Sequence, residues 1–139
     1  MKRFKFRLQK VLEYREAMEH WAQEVYLDTR VARLEAEAAL LEVNHRRIAA
    51  LQQPANTLGD RQLLEMTLQS LDDDERAKQT VVDVLAMEEK KALEAWHEKK
   101  QELETIVKLR EHALDEWLLE ENRREQRELD EWSVMQRSA

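Results

Sequence analysis

Two Glu-x-x-His pairs are the residues of this chain whose type and spacing best suit metal chemistry. They are Glu42 with His45 and Glu94 with His97. When two such pairs project from different helices of a bundle, together with two further glutamates, they hold a carboxylate-bridged di-iron centre. Such a centre requires both pairs to lie at the same level, so the elements that carry them decide whether it exists.

A second candidate is the acidic stretch 72–83, DDDERAKQTVVD, which begins like a calcium-binding loop. It lacks the glycine at the sixth position that makes the sharp turn of such a loop, and the bidentate glutamate at the twelfth. The pattern therefore favours a solvated acidic patch. With one Gly and no Cys, the chain also offers no glycine-rich phosphate loop and no thiol nucleophile. We predict that it is not an enzyme and uses no metal, cofactor or small-molecule substrate.

The composition is typical of a few long helices rather than of an ordinary globular domain. Charged residues make up 38% of the 139 residues, against about a quarter in typical domains. One Gly and one Pro leave few places for a turn, whereas Ala, Leu, Glu, Lys, Arg and Gln are strong helix formers. Hydrophobic residues at 42% argue against disorder, and the net charge of −7 argues against nucleic acid as the partner. No apolar run has the length of a membrane span or of a secretory signal.

A single cluster of turn residues, 53-QPANTLGD-60, divides the chain. Pro54 disfavours helix at the residue before it and should end helix 1 near Gln52. Thr57 or Asp60 can cap the helix that follows. We therefore predict one coiled-coil domain over residues 1–139, with helix 1 at about 4–52, the turn at 53–60 and helix 2 at about 60–135.

Two long helices joined by a short turn form an antiparallel hairpin, and a turn centred near residue 56 makes the numbers of facing residues add to about 113. At 1.5 Å per residue the two Glu-x-x-His pairs would then lie about 40 Å apart, which excludes a shared metal centre. Residues after about 111 would have no partner in helix 1. The predicted fold is an all-α, monomeric, long antiparallel two-helix coiled-coil hairpin with an overhanging C-terminal helix end.

Apolar residues at coiled-coil spacing identify the predicted seam between the helices. On helix 1 a strict heptad row, broken only by His45, steps alternately by four and three residues. On helix 2 apolar residues recur every eleven residues, which keeps a seam nearly straight. The predicted seam residues are Leu27, Val31, Leu34, Leu41 and Ile48 on helix 1, and Leu85, Trp96, Leu103 and Val107 on helix 2.

The two ends of the chain carry opposite charge. The opening MKRFKFRLQK has five basic residues, and its Phe4 and Leu8 have helical spacing, so we expect it to form the first turns of helix 1. It fits a protein-docking patch or a solvated terminus partly neutralised by the tail, with anionic lipid or nucleic acid as a third hypothesis. The segment 111–131 carries nine acidic residues. Apolar residues without a partner in this tail indicate binding of another protein, with folding back or self-dimerisation as alternatives.

Three stretches, in order along the chain, resemble the FliJ family of the bacterial flagellar type III export apparatus. The start 4-FKFRLQKVLEYRE-16 is similar to the opening of that family. The stretch 96-WHEKKQELE-104 resembles its Trp-x-Glu-Lys-Lys-Gln segment, and 121-ENRREQRELDEW-132 resembles its Glu-Asn-Arg…Gln…Asp-Glu-aromatic tail. The order, spacing and total length agree across nearly the whole chain.

The resemblance implies a non-enzymatic central-stalk protein for flagellum assembly, similar in fold to the stalk of rotary ATPases. Such a protein would insert into the hexameric export ATPase, promote its assembly, couple it to the membrane export gate protein and bind export chaperones. It would be cytoplasmic and peripherally associated with the membrane. Carried over to this sequence, the candidate ATPase-docking residues are Phe6, Leu8, Leu12 and Arg15, joined by Asn122, Arg123, Gln126, Asp130, Glu131 and Trp132 from the tail.

Other functions also fit these residues. A coiled-coil chaperone or escort for export substrates and their chaperones would use the same exposed apolar side chains. The equivalent stalk of a virulence type III secretion system shares the architecture. A self-assembling structural rod is a further hypothesis, and its mass in solution would distinguish it.

Overall fold

The computed structural model describes residues 3–138, and these residues form two long helices that pack against each other. Helix α1 is Gln9–Gln52 and helix α2 is Leu58–Ser138. This architecture confirms the predicted helical hairpin. Residues up to His20 together with those from Glu98 onward form one compact unit, here called the terminal unit, and Trp21–His97 form the other, here called the turn unit. None of the described helices contains a stretch long and apolar enough to cross a membrane.

The connector between the helices follows the turn chemistry of its sequence. α1 ends at Gln52, two residues before Pro54, as predicted. Thr57 caps α2: the Asp60 N–H donates to Thr57 Oγ1 at 3.1 Å, and the Thr57 N–H donates to Asp60 Oδ2 at 3.3 Å. This reciprocal pair is a capping box, which satisfies a free amide group at the start of α2.

The register of the hairpin differs from the predicted one. Three cross-helix contacts of the turn unit join Tyr26 to Trp96, Arg33 to Glu89 and Arg47 to Glu75, and in each pair the residue numbers add to 122 rather than 113. The connector explains the difference, because residues 53–57 are not helical. Extended residues span about 3.3 Å each against 1.5 Å in a helix, so five of them run alongside about ten residues of α2.

The seam predicted on α1 is wrong by one residue. Leu27, Leu34, Leu41 and Ile48 are 43–55% exposed, and each follows directly a seam residue of the observed helix, namely Tyr26, Arg33, Leu40 and Arg47. Val31, between them, is 53% exposed. A one-residue step turns a helix by about 100°, so the most apolar row of α1 points away from α2.

Small side chains form the other column of the observed seam on α1. Its members recur every seven residues and are buried or half-buried: Ala22, Thr29, Ala36, Val43 and Ala50. Val43 is 1% exposed. Small residues at the contact between two helices allow a short distance between the helix axes.

The seam predicted on α2 agrees with the structure. The four predicted residues are all half-buried: Leu85, Trp96, Leu103 and Val107. Val82 and Ile106 complete the row at 8% and 2% exposure. The two helices therefore meet along the predicted face of α2 but along a different face of α1.

Ion pairs occupy two of the levels that a coiled coil normally fills with aliphatic residues. Arg33 binds both carboxylate oxygens of Glu89, through Nε to Oε2 and through Nη2 to Oε1 at 3.4 Å. Two heptads closer to the connector, Arg47 Nη2 donates to Asp72 Oδ1 at 2.7 Å and to Glu75 Oε2. Hydrogen bonds to Glu89 raise the pKa of Arg33, and those to Glu75 raise the pKa of Arg47. Each guanidinium thus has its own set of partners across the seam, which fixes the register.

Candidate docking end

Residues 3–8 form a non-helical segment, here called the arm, and not the first turns of α1 as predicted. Residues 3–6 have no regular structure and α1 begins at Gln9, whose N–H donates to the Phe6 carbonyl at 3.2 Å. The extended form explains the alternation in KRFKFRL. Phe4, Phe6 and Leu8 are half-buried while Arg3, Lys5 and Arg7 are exposed. A helix would have placed Phe6 off the face shared by Phe4 and Leu8, so the extended arm covers one more apolar side chain.

The arm is held on α2 by its first aromatic residue. The Phe4 ring lies 5.9 Å from the Trp117 ring at an angle of 57°, and the Arg110 guanidinium lies over the Phe4 ring at 5.7 Å. A tilted aromatic pair and a cation over a ring are both favourable arrangements. Trp117 and Arg110 were not among the predicted site residues. The available signal was the period-2 alternation of the arm, which indicates a strand-like segment that needs a surface to cover.

Phe6 and Leu8, two of the predicted docking residues, line a shallow groove between the arm and α2. The α2 side of this groove is formed by Leu109, His112, Ala113 and Glu116. Both residues remain partly accessible. The groove therefore presents apolar side chains bordered by the exposed cations Lys5 and Arg7.

Leu12 and Arg15, the other predicted docking residues of the N-terminal part, face α2. Leu12 is only 5% exposed. Arg15 Nη1 donates to the backbone carbonyl of Glu102 at 2.8 Å. These two residues therefore position the N-terminal part of α1 on α2, and their contact with a docked protein would be indirect.

The tail residues predicted to dock lie at the surface. Half-buried residues of α2 continue to Arg124, and every described residue from 125 to 138 is exposed. This range corrects the expectation that pairing ends near residue 111, because the shifted register and the extended arm carry contacts further along α2. The predicted residues Asn122, Arg123, Gln126, Asp130, Glu131 and Trp132 are all exposed, with Trp132 at 59%.

The last half-buried residues of α2 form an ion pair with each other, within the same helix. Arg124 Nη2 donates to Glu121 Oε2 at 2.6 Å, and the Nε of Arg124 is buried with no protein partner. Beyond it, the bare end of α2, residues 125–138, combines the acids Glu125, Glu128, Asp130 and Glu131 with exposed Leu129, Trp132, Val134 and Met135. Such a mixture of acidic and large apolar side chains is typical of a binding surface. The terminal unit thus carries basic exposed side chains on the arm and acidic ones on α2.

The Glu-x-x-His motifs lie at separate places on the helix surfaces. His45 Nδ1 is 3.9 Å from Glu42 of its own motif, and the His97 ring stacks on the neighbouring Trp96 at 6.2 Å. Within residues 3–138 no three His, Asp or Glu side chains converge in a metal-binding arrangement. These residues do not build a di-iron site.

Comparison with models of known protein families gives a match over nearly the whole chain. The family model described as flagellar FliJ protein matches residues 4–139. No curated protein and no solved structure matches this chain.

Proposed function

Since the chain belongs to the FliJ family and is thereby a component of flagellar protein export, we propose that it is the central stalk of the hexameric export ATPase. The terminal unit would enter the ring, promote its assembly and couple the ATPase to the membrane export gate. The protein would act in the cytoplasm and at the membrane periphery, and would also bind export chaperones. No catalytic step of its own is required.

The observation that supports this proposal is the bare end of α2 in the same unit as the basic arm. Residues 125–138 are helical and wholly exposed, so they can contact a surrounding protein without rearrangement of the hairpin. The arm adds exposed Arg3, Lys5 and Arg7 to the same unit. A ring that encloses this end could thus contact both acidic and basic side chains.

The test is stimulation of the purified export ATPase by the full chain and by variants. Deletion of residues 125–139 should abolish stimulation while the helicity of the remaining residues and the melting temperature stay unchanged, because the half-buried residues of α2 end at Arg124. Trp132→Ala with Asp130→Ala should weaken stimulation strongly. The matched control is Met87→Ala, which removes an exposed apolar side chain of α2 from the turn unit. Full stimulation by the shortened chain would refute docking through this end.

A chaperone or escort for export substrates is the second candidate. It is favoured by the exposed Leu129, Val134 and Met135, which could hold unfolded segments. A holdase suppresses aggregation in proportion to its own concentration and does not raise the turnover of the ATPase. Stimulation by a few molecules per hexamer would support the stalk; suppression of substrate aggregation without stimulation would support the chaperone.

A further inference from the structure

The most apolar row of α1 has no partner in the hairpin. This outer stripe, as we call it, consists of Leu27, Val31, Leu34, Ala38, Leu41 and Ile48. Every member is exposed, and the five large side chains are 43–55% accessible. The stripe lies wholly within the turn unit. We infer that it binds an amphipathic helix of another protein, whose flanking positions carry Lys or Arg.

The spacing of the outer stripe specifies a helix as the occupant. Its members follow one another at intervals of four and three residues, with His45 in the one remaining place. A row with a seven-residue repeat matches the knobs and holes of another helix that has the same repeat. The row from Leu27 to Ile48 is about 32 Å long, which equals three heptads. Neither a loop nor a flat surface would match this periodicity over such a length.

The composition of the hairpin seam supports an external partner. The seam residues Arg33 and Arg47 directly precede Leu34 and Ile48 of the outer stripe, and ion pairs hold both arginines on α2. These pairs oppose the rotation of α1 that would turn the stripe toward α2, since the rotation would leave two half-buried guanidinium groups without partners. The stripe is therefore locked on the outside.

The charges beside the outer stripe determine what kind of helix fits. The exposed charged positions that directly border it are Asp28, Arg30, Glu35, Glu37 and Glu42. Four of these five are acidic. Charges at such bordering positions set partner choice in coiled coils, so basic residues on the incoming helix are favoured.

A second copy of this chain is disfavoured by the same charges. In an antiparallel pair each bordering column faces its own equivalent, so Asp28, Glu35 and Glu42 would face the same acids. In a parallel pair that column faces the other one, where the repulsion by Glu37 and the attraction by Arg30 offset each other. The charges therefore disfavour an antiparallel pair and give a parallel pair no net attraction, whereas a basic helix is attracted in either orientation.

The test uses the full chain and two four-heptad synthetic helices with Leu and Ile at the seam. One probe carries Lys at all bordering positions and the other carries Glu. Fluorescence anisotropy should show about tenfold tighter binding of the Lys probe at low salt, because several weak ion pairs together reach that factor. The preference should shrink at high salt, where exposed charges are screened. Equal binding of both probes, or binding of neither, would overturn the inference.

Variants locate the binding and keep the test independent of folding. Leu34→Glu with Leu41→Glu should abolish binding of the Lys probe without loss of helicity, since both side chains are exposed. The matched control, Val81→Glu with Val84→Glu on α2, should bind normally. Asp28→Lys with Glu35→Lys should reverse the preference toward the Glu probe. Unchanged preference in this charge-reversed variant would refute the assignment.

Crosslinking in cells tests the native partner. A photoreactive residue at position 34 should attach to a segment with heptad apolar residues and bordering Lys or Arg, whereas the same residue at position 87 should not. Attachment to a second copy of this chain, or to a segment without these features, would overturn the inference.

Discussion

Arg33 and Glu89 are joined by a two-pronged ion pair across the seam of the hairpin. Their side chains are only 22% and 15% exposed. The pair lies seven residues from the Tyr26–Trp96 stack in each helix. The level thus repeats the seven-residue spacing of a coiled coil with a polar pair in place of an aliphatic one.

Removing one partner of this pair should destabilise the hairpin. Arg33→Ala leaves the Glu89 carboxylate half-buried without its cation, so the melting temperature followed by circular dichroism should fall by several degrees. Arg46→Ala is the control, because Arg46 is 62% exposed and lies 3.8 Å from Glu42 within the same helix. The double variant Arg33→Leu with Glu89→Leu should recover the melting temperature, since an apolar pair carries no charge whose desolvation must be offset. A double variant no more stable than Arg33→Ala would show that the polar pair contributes more than its desolvation costs.

Trp96 should contribute to stability through Tyr26. Their rings are stacked with centroids 5.5 Å apart, rather than Trp96 lying near Ala17 and Met18 as the expected register implies. Trp96→Ala should cost about 2 kcal/mol, below the 3–5 kcal/mol typical of a fully buried Trp because the side chain is half-buried. Trp21→Ala, which changes a 62% exposed side chain, should cost less than about 0.5 kcal/mol. Chemical denaturation measures both values, and equal losses would contradict the role of the stack.

The arm should detach when Phe4 is removed. Phe4→Ala deletes both the Trp117 ring contact and the Arg110 cation contact. Limited trypsin digestion should then cleave faster after Lys5 and Arg7, by about tenfold if the lost contacts are worth about 1.4 kcal/mol. The melting temperature of the helices should change little. The control is Tyr14→Ala, an exposed aromatic residue of α1; faster cleavage in this variant too would mean that the arm is held by something other than Phe4.

The capping box should stabilise the start of α2. Thr57→Ala removes the hydroxyl that accepts from the Asp60 N–H, at a cost of about 1 kcal/mol. Thr67→Ala is the control, because its hydroxyl donates to the Leu63 carbonyl within the helix and caps nothing. Hydrogen exchange of the amides at the start of α2 should accelerate only in Thr57→Ala. Unchanged exchange there would show that the helix start is held by the packing of the connector alone.

The sequence predicted the helices better than it predicted their contacts. Pro54 marks the end of α1 and Thr57 marks the start of α2, because backbone restriction by proline and helix capping act locally. The seam of α1 was missed because periodicity analysis assumes that the most apolar row is buried, whereas Arg33 and Arg47 take the inner positions together with small residues. That choice depends on Glu89 and Glu75 of the other helix, which no pattern within α1 reveals.

At the candidate site, too, the sequence predicted some features correctly and missed those that depend on contacts with the other helix. The exposed positions of Asn122, Arg123 and Trp132 agree with a docking role, which stays a prediction. Leu12 was assigned to the same role from the resemblance, yet it is buried against α2. The arm was missed because Phe4 and Leu8 fit both a helical and an extended spacing, and only the surface offered by Trp117 decides between them.

The connector also constrains how chains of this kind can change in length. The length of the connector, residues 53–57, fixes the register, so the two residue numbers of each pair in the turn unit add to the same value. Deleting one residue of α1 between Tyr26 and Arg47 would therefore keep Arg47 with Glu75 but separate Tyr26 from Trp96. Only the gain or loss of a whole heptad in both helices together preserves every pair. Residues 125–138 are not subject to this constraint on length, because nothing in the hairpin covers them. Relatives of this chain should therefore vary in length by single residues at the C-terminal end. Within the hairpin they should differ only by insertions or deletions of seven residues in both helices together.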